Sequence, residues 1–175
     1  KVSEKLTLEI KTLLDSIKKD YQHLSKIIVI NGPGSFTGIR TGITAAKVLG
    51  LSLKLPVCGI SLFELLRINY LKTKPKKNLK FLIKLNKDSY FAQNVYKSGE
   101  ESEIILETFG ANLQYKSKEV DLVFLDNISV KNISRKVNDK KEIITINDLF
   151  NKTYRDLINL SEKKYIPLPI YVKIS

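Results

Sequence analysis

The spacing of apolar residues predicts that the first part of the chain alternates helices with strands. Residues 2–18 carry apolar side chains at the three- and four-residue intervals of an amphipathic helix. Residues 26–30 are almost all apolar, which is typical of a buried strand, and residues 39–53 return to helical spacing. A short strand at 55–60 and a helix at 62–71 follow. The pattern therefore predicts an α/β fold.

Strands dominate the second part of the chain. Its apolar runs predict further strands at residues 79–85, 89–96, 103–109, 121–125 and 142–146. A helix at residues 147–160, with Asn147 as its N-cap, follows them. The segment at residues 73–78 contains lysines and a proline and reads as a linker. It predicts a domain boundary, with residues 1–74 in the first domain and residues 75–175 in the second.

The segment from Asn31 to Gly42 is the most distinctive in the sequence. Between a predicted strand and a predicted helix it holds Gly32, Gly34, Gly38 and Gly42, four of the chain's eight glycines. Such a junction can bind phosphate, because helix N-termini attract anions. The spacing fits neither a P-loop nor the dinucleotide fingerprint, and it does not fit the nucleophile elbow. A tight turn without a ligand is the simpler interpretation.

We therefore expect a structural role for the glycine loop, defined as Gly32, Pro33, Gly34, Ser35, Phe36, Thr37 and Gly38. Glycine serves where the backbone needs a positive φ or a very close neighbour, and we expect Gly34 and Gly38 to be such positions. The hydroxyl of Ser35 or that of Thr37 is expected to cap the following helix. Both hydroxyls can accept a hydrogen bond from the N–H groups of its first turn.

The charge balance is strongly basic, with 30 Lys and Arg against 18 Asp and Glu and a net charge of +12. Such an excess is compatible with nucleic acid, an anionic membrane or an acidic partner. The lysines are densest at Lys72, Lys74, Lys76, Lys77, Lys80, Lys84 and Lys87. Aromatic residues are not interleaved with them as a base-stacking platform would need. A generic basic surface is therefore the simpler interpretation.

Residue types that carry catalysis or bind metals are scarce. The chain has one histidine, His23, and one cysteine, Cys58. A single cysteine cannot form an intrachain disulfide, which fits a reducing compartment such as the cytoplasm. One histidine and one cysteine are too few for a structural zinc site. We therefore expect no catalytic residue, no metal and no cofactor.

Together with its flanks, the glycine segment resembles the bacterial TsaB (YeaZ) family. The resemblance covers several stretches between residues 2 and 62, with the sequence GPGSFTGIRTG at its centre. The tail Pro169-Ile170-Tyr171-Val172-Lys173 is similar to the family's closing Pro-x-Tyr-x-Arg pattern, with lysine in place of arginine. The family also has an Asp-Ala-Arg-like turn, which here corresponds to Leu85-Asn86-Lys87-Asp88.

The resemblance implies an actin/Hsp70-like (ASKHA) fold with two RNase H-like lobes. It implies a non-catalytic partner of TsaD, the subunit that carries the metal and the transferase chemistry, in forming threonylcarbamoyladenosine in tRNA. The ATPase TsaE joins this pair, and the family forms homodimers through helices of the first lobe. The family begins with a β-hairpin before its first helix. This sequence starts at that helix and lacks methionine, so we expect a fragment or processed chain whose first lobe lacks its N-terminal strands.

We expect the partner surface on the helices at residues 2–18 and 39–53. Its residues would be Gly42, Ala46, Val48, Gly50 and Leu51: small residues spaced by four, beside two apolar side chains. The same surface would serve the homodimer and the TsaD complex.

Two alternative functions remain open: a degenerate ATPase of the same superfamily that binds nucleotide at the glycine loop, and a basic RNA-binding module. Nucleotide binding would favour the first, and RNA binding that falls steeply with salt would favour the second.

Overall fold

The computed structural model describes residues 2–72, 76–86, 89–108, 120–125, 141–159 and 167–170. These residues form two compact units. The first comprises residues 2–62, 157–159 and 167–170, and the second comprises the described residues between 63 and 156. The division differs from the predicted domain boundary after residue 74.

Side-chain and backbone contacts explain this difference. The rings of Tyr70 and Phe81 lie 5.7 Å apart, and Arg67 approaches Glu101 at 3.6 Å. The helix that was predicted to end the first domain therefore packs within the second unit. Conversely, the backbone N–H of Ile170 donates to the carbonyl of Asn31 (2.8 Å), which ties the described tail residues to the first unit.

The first unit places two helices beside a small parallel sheet. Its elements are α1 (Val2–Ser16), a short 3₁₀ turn (Tyr21–His23), β1 (Ile27–Ile30), α2 (Phe36–Leu53) and β2 (Val57–Ile60). Strands β1 and β2 pair in parallel, with Ile27 opposite Val57 and Ile30 opposite Ile60. Helix α2 packs on both strands, and α1 packs on α2.

Helix α2 buries one side and ends in a left-handed residue. Ile43, Ala46 and Gly50 form its buried side. Lys54 adopts φ 55° and ψ 39° at the C-terminus, and Leu55 N–H then donates to the Gly50 carbonyl (2.8 Å). The Lys54 N–H donates to the carbonyls of Gly50 and Leu51, so this αL ending engages carbonyls of the last turn.

The second unit is built on a mixed five-stranded sheet in the order β5-β4-β3-β6-β7. Its strands are β3 (Asn78–Lys84), β4 (Ser89–Val95), β5 (Ile105–Thr108), β6 (Val120–Leu125) and β7 (Lys141–Ile144). Strands β3, β4 and β5 pair antiparallel, whereas β3, β6 and β7 pair in parallel. The central strand β3 is buried at five consecutive positions, as a strand covered on both faces should be.

In the sequence, helix α3 (Leu62–Leu71) precedes the strands of this sheet and helix α4 (Ile146–Ile158) follows them. The N-cap prediction for α4 is wrong. Thr145, not Asn147, caps the helix, because the Thr145 Oγ1 accepts from Asp148 N–H (3.1 Å) and donates to its carboxylate (2.7 Å). The helix at residues 39–53 likewise begins earlier than predicted, at Phe36. The predicted tail positions 171–173, and Lys87 and Asp88 of the predicted turn, lie outside the described residues.

Candidate functional site

The glycine loop begins in a buried corner, formed by residues 31–33. Three other segments of the first unit hold this corner by backbone hydrogen bonds. At the end of β1, Asn31 N–H donates to the carbonyl of Ile60 in β2 (3.0 Å). The Gly32 carbonyl accepts from Leu62 N–H at the start of α3 (2.8 Å), and the Asn31 carbonyl accepts from Ile170 N–H (2.8 Å). The corner is therefore fixed by β2, by the start of α3 and by the tail.

Gly32 is the loop position that requires glycine. Its φ is +132°, and a β-carbon added to it would lie 3.1 Å from the Ile170 carbonyl oxygen and 3.2 Å from the Ile170 Cβ. The expectation for Gly34 and Gly38 is wrong, because neither has a positive φ. Their nearest neighbours would lie 3.7 Å and 3.6 Å from an added β-carbon, at Ile39 and Ser35 side chains. Sequence reasoning missed Gly32 because Ile170 lies far along the chain.

The exposed part of the loop turns into the first turn of α2. Ser35 is the N-cap, as predicted, and its Oγ accepts from Gly38 N–H (3.4 Å); Thr37 lies inside the helix. Phe36 remains 54% exposed. The Arg40 guanidinium stacks 3.8 Å above the Phe36 ring, a distance at which a cation–π attraction is effective.

The small-residue line of α2 faces the sheet of its own unit, which corrects the expected partner surface. Gly42 lies beside Val29 of β1, with 3.8 Å between an added β-carbon and the Val29 Cγ2. Ala46 and Gly50 are buried, and a β-carbon on Gly50 would overlap Val57. Small residues let α2 approach β1 and β2 closely. Gly42, Ala46 and Gly50 are therefore used in packing within the unit.

Val48 and Leu51 lie on the outside of α2 and are 57% and 83% exposed. Beside them, α1 and α2 enclose a groove of about 540 Å³, lined by residues that include Thr7, Ile10, Arg40, Thr44, Val48 and Leu49. Leu13 of α1 and Ile17, just past its end, continue from Ile10 at helical spacing and are 65% and 59% exposed. We call the groove with Leu13, Ile17, Val48 and Leu51 the α1–α2 surface. It is mostly apolar and open to a partner.

The dense lysine segment is partly neutralised within the second unit. Lys72 pairs with Asp156 (2.5 Å), Lys77 with Asp121 (3.4 Å) and Lys80 with Glu107 (2.5 Å). Two further members of the segment, Lys74 and Lys87, lie outside the described residues. Lysines that hold carboxylates offer less charge to a nucleic acid than their number suggests.

The remaining candidate groups are dispersed. Asp20 accepts a hydrogen bond from His23 (2.7 Å), and this contact holds the pKa of the exposed Asp20 carboxyl below its ordinary value. Cys58 is buried and is not part of a disulfide. Across the described part of the chain, no three His, Cys, Asp or Glu residues converge on a point where they could hold a metal ion. None of the described helices combines the length and apolar character needed to cross a membrane.

Comparison with known proteins shows what the chain is similar to. A family model described as TsaD, tRNA N6-adenosine threonylcarbamoyltransferase, matches residues 1–77. The chain is 47% identical over 58 residues to the tRNA threonylcarbamoyladenosine biosynthesis protein TsaB of Bacillus subtilis (strain 168). It is 26% identical over 166 residues to the protein of the same name from Buchnera aphidicola subsp. Acyrthosiphon pisum. These matches cover 33% and 91% of this chain and 25% and 66% of the two relatives.

Solved structures give the same fold. YeaZ from Pseudomonas aeruginosa superposes with a TM-score of 0.59 at 17% sequence identity, over 97% of this chain and 84% of YeaZ. A further Pseudomonas aeruginosa protein, described as similar to the peptidase YeaZ, superposes with the same TM-score at 18% identity. At these identities the likeness concerns the mixed α/β fold. Together with the TsaB relatives, it supports a likeness of this chain to the TsaB (YeaZ) family.

Proposed function

We propose that this chain is a non-catalytic partner of TsaD in the formation of threonylcarbamoyladenosine in tRNA. The names of its curated relatives and the TsaD family model over residues 1–77 support this pathway. The partner role rests on one observation, the exposed apolar α1–α2 surface of the first unit. The chain spans only part of the length of those relatives, so their activity and partners enter here as proposals.

The α1–α2 surface has the properties of a helix-docking site. Leu13, Ile17, Val48 and Leu51 each expose more than half of their area, and large contiguous apolar patches commonly mark association sites. Two packed helices with a groove between them can receive the ridge of a third helix. We therefore place the contact with a helix of TsaD on this surface.

The glycine loop favours a structural role over nucleotide binding. Asn31 N–H and the Gly32 carbonyl are already engaged by Ile60 and Leu62, and the sequence lacks the Lys-Ser/Thr pair of a P-loop. We therefore propose that this chain is not an enzyme and that TsaD supplies the transferase chemistry. TsaE would join the pair, and tRNA would be contacted indirectly, through the complex in the cytoplasm.

For the fold we propose the ASKHA arrangement of two RNase H-like lobes. The mixed five-stranded sheet of the second unit supports one such lobe. In the first unit, β1 pairs with β2 alone among the described strands, and all four of its residues are half-buried. Further strands beside β1 would complete the other lobe.

The proposal is tested by co-purification with TsaD of the Val48→Asp and Leu51→Asp variants. Both side chains are exposed, so the variants should fold, which circular dichroism can confirm. A carboxylate buried at a dry interface without a partner costs several kcal/mol, so both variants should lose TsaD. The control is Ile105→Asp, because Ile105 is 45% exposed but lies on β5 of the second unit.

Two outcomes would decide against this assignment. If the folded Val48 and Leu51 variants bind TsaD as strongly as the wild type, the interface lies elsewhere. If Ile105→Asp weakens binding as much as they do, the loss reflects added charge rather than position. We further propose that the chain alone forms a homodimer through the same surface, so that adding TsaD should dissociate it.

A further inference from the structure

We propose that residues 167–170 act as a clasp that fixes the start of α2. The clasp would set the position of the helix that carries Val48 and Leu51, and it would therefore be required for full affinity toward TsaD. The claim about TsaD affinity rests on the proposed function. The claim that the clasp holds the glycine loop and the first turn of α2 is independent of it.

The contact between clasp and loop is short and specific. Ile170 N–H donates to the Asn31 carbonyl (2.8 Å). Directly beside this bond, the Ile170 backbone occupies the space that a side chain on Gly32 would need, at 3.1 Å from its ideal β-carbon. Gly32 also carries a φ of +132°, which other residues rarely adopt. Glycine at position 32 therefore allows the close approach of Ile170.

The clasp is one of three backbone contacts that hold the start of the loop, beside those made by Ile60 and Leu62. Asn31, Gly32 and Pro33 are buried, whereas residues 34–38 are exposed. Beyond Pro33 the loop runs directly into the Ser35 cap. Without Ile170, the buried Asn31 carbonyl would lose this hydrogen bond, and an unsatisfied buried carbonyl is costly. The corner would relax, and with it the point from which α2 begins.

Coupling to the partner surface follows from the length of α2. One continuous helix runs from Phe36, within the glycine loop, to Leu53, and both Val48 and Leu51 lie on it. A change at its first turn therefore alters the groove that Arg40 and Thr44 line. Loss of preorganisation lowers affinity even where no contact residue has changed.

The test compares Gly32→Ala with Gly34→Ala. A β-carbon at residue 32 meets Ile170, whereas one at residue 34 meets only ordinary contacts at 3.7 Å. Hydrogen exchange should become faster at Ile170 and in the first turn of α2 in Gly32→Ala alone. TsaD affinity should fall by about tenfold or more in that variant, with Gly34→Ala near wild type.

A milder variant guards against loss of folding. Ile170→Pro removes the donor to Asn31 and leaves Gly32 intact, and Leu168→Ala, at an exposed position (56%) of the same segment, is its control. Faster exchange in α2 with weaker TsaD binding in Ile170→Pro supports the clasp. Unchanged exchange in α2 together with unchanged TsaD affinity in Ile170→Pro overturns it. If wild-type chain does not bind TsaD, the proposed function fails, while the exchange data still decide whether the clasp holds α2.

Discussion

Gly50 of α2 and Val57 of β2 lie so close together that a β-carbon on Gly50 would overlap the Val57 Cγ2. The same β-carbon would be 3.0 Å from the Leu55 carbonyl oxygen. Glycine is a poor helix former, yet here it lets the last turns of α2 rest directly on the strand. The small-residue line of this helix is thus explained by packing within the first unit.

This contact predicts opposite effects for two alanine substitutions in one helix. Gly50→Ala should lower the free energy of unfolding by about 1–3 kcal/mol, because the overlap forces backbone shifts. Gly42→Ala should raise it by about 0.5–1 kcal/mol, because its β-carbon would lie 3.8 Å from Val29 and alanine favours helix. Urea unfolding measures both. Shifts of the same sign would contradict the described packing.

The left-handed end of α2 predicts a stabilising change. Lys54 has φ 55°, a conformation that costs an L-residue about 1–2 kcal/mol. Lys54→Gly should therefore raise the free energy of unfolding by about 0.5–1 kcal/mol, after the entropy cost of glycine in the unfolded chain. The control is Lys47→Gly, at an exposed position inside the helix, which should lower it by about 1 kcal/mol. Equal losses in both variants would show that residue 54 is not left-handed.

The ion pair between Lys80 and Glu107 predicts strong coupling in the second unit. The two side chains are only 7% and 20% exposed. Lys80→Met should cost about 2–4 kcal/mol, because the largely buried Glu107 side chain would lose its cationic partner. The double variant Lys80→Met with Glu107→Leu should recover most of the loss. As a control, Lys77→Met breaks the more exposed pair with Asp121 and should cost about 1 kcal/mol or less. Strictly additive losses at 80 and 107 would contradict the coupling.

The glycine loop predicts no tight ATP binding by this chain alone. Calorimetry with ATP and magnesium should show no micromolar affinity, because the sequence lacks the phosphate-binding Lys-Ser/Thr pair. The measurement should be made on wild type and on Gly34→Ala, which leaves the loop backbone free of new close contacts. Micromolar binding that the variant weakens would instead favour a degenerate ATPase.

Local patterns in the sequence were sufficient to predict most elements. The helix at residues 62–71 and strands β1, β3, β4 and β6 occur close to their expected bounds. Each was predictable because its pattern of apolar residues lies within the element itself. The Ser35 cap was also predictable, since its hydroxyl acts within one helical turn. The cap of α4 was misplaced by two residues because Thr145 and Asn147 are both good N-cap residues.

Features that depend on distant parts of the chain were not predictable. The sequence marks four glycines between Asn31 and Gly42, but only the position of Ile170 shows that Gly32 is the constrained one. In the same way, the small-residue line from Gly42 to Gly50 could face a partner or a strand of its own unit. Only the contact between Gly50 and Val57 of β2 shows that it faces the strand. The exposed positions of Val48 and Leu51, by contrast, follow from their place away from the buried side of α2 formed by Ile43, Ala46 and Gly50.

Hydrogen exchange of the chain with and without TsaD shows whether the α1–α2 surface is the TsaD contact. We expect slower exchange on α1 and α2 on addition of TsaD, strongest around the groove lined by Ile10 and Val48. Strands β3, β4 and β5 of the second unit serve as the internal reference and should change little. Protection confined to the second unit, with α1 and α2 unchanged, would contradict the proposal that the α1–α2 surface binds TsaD.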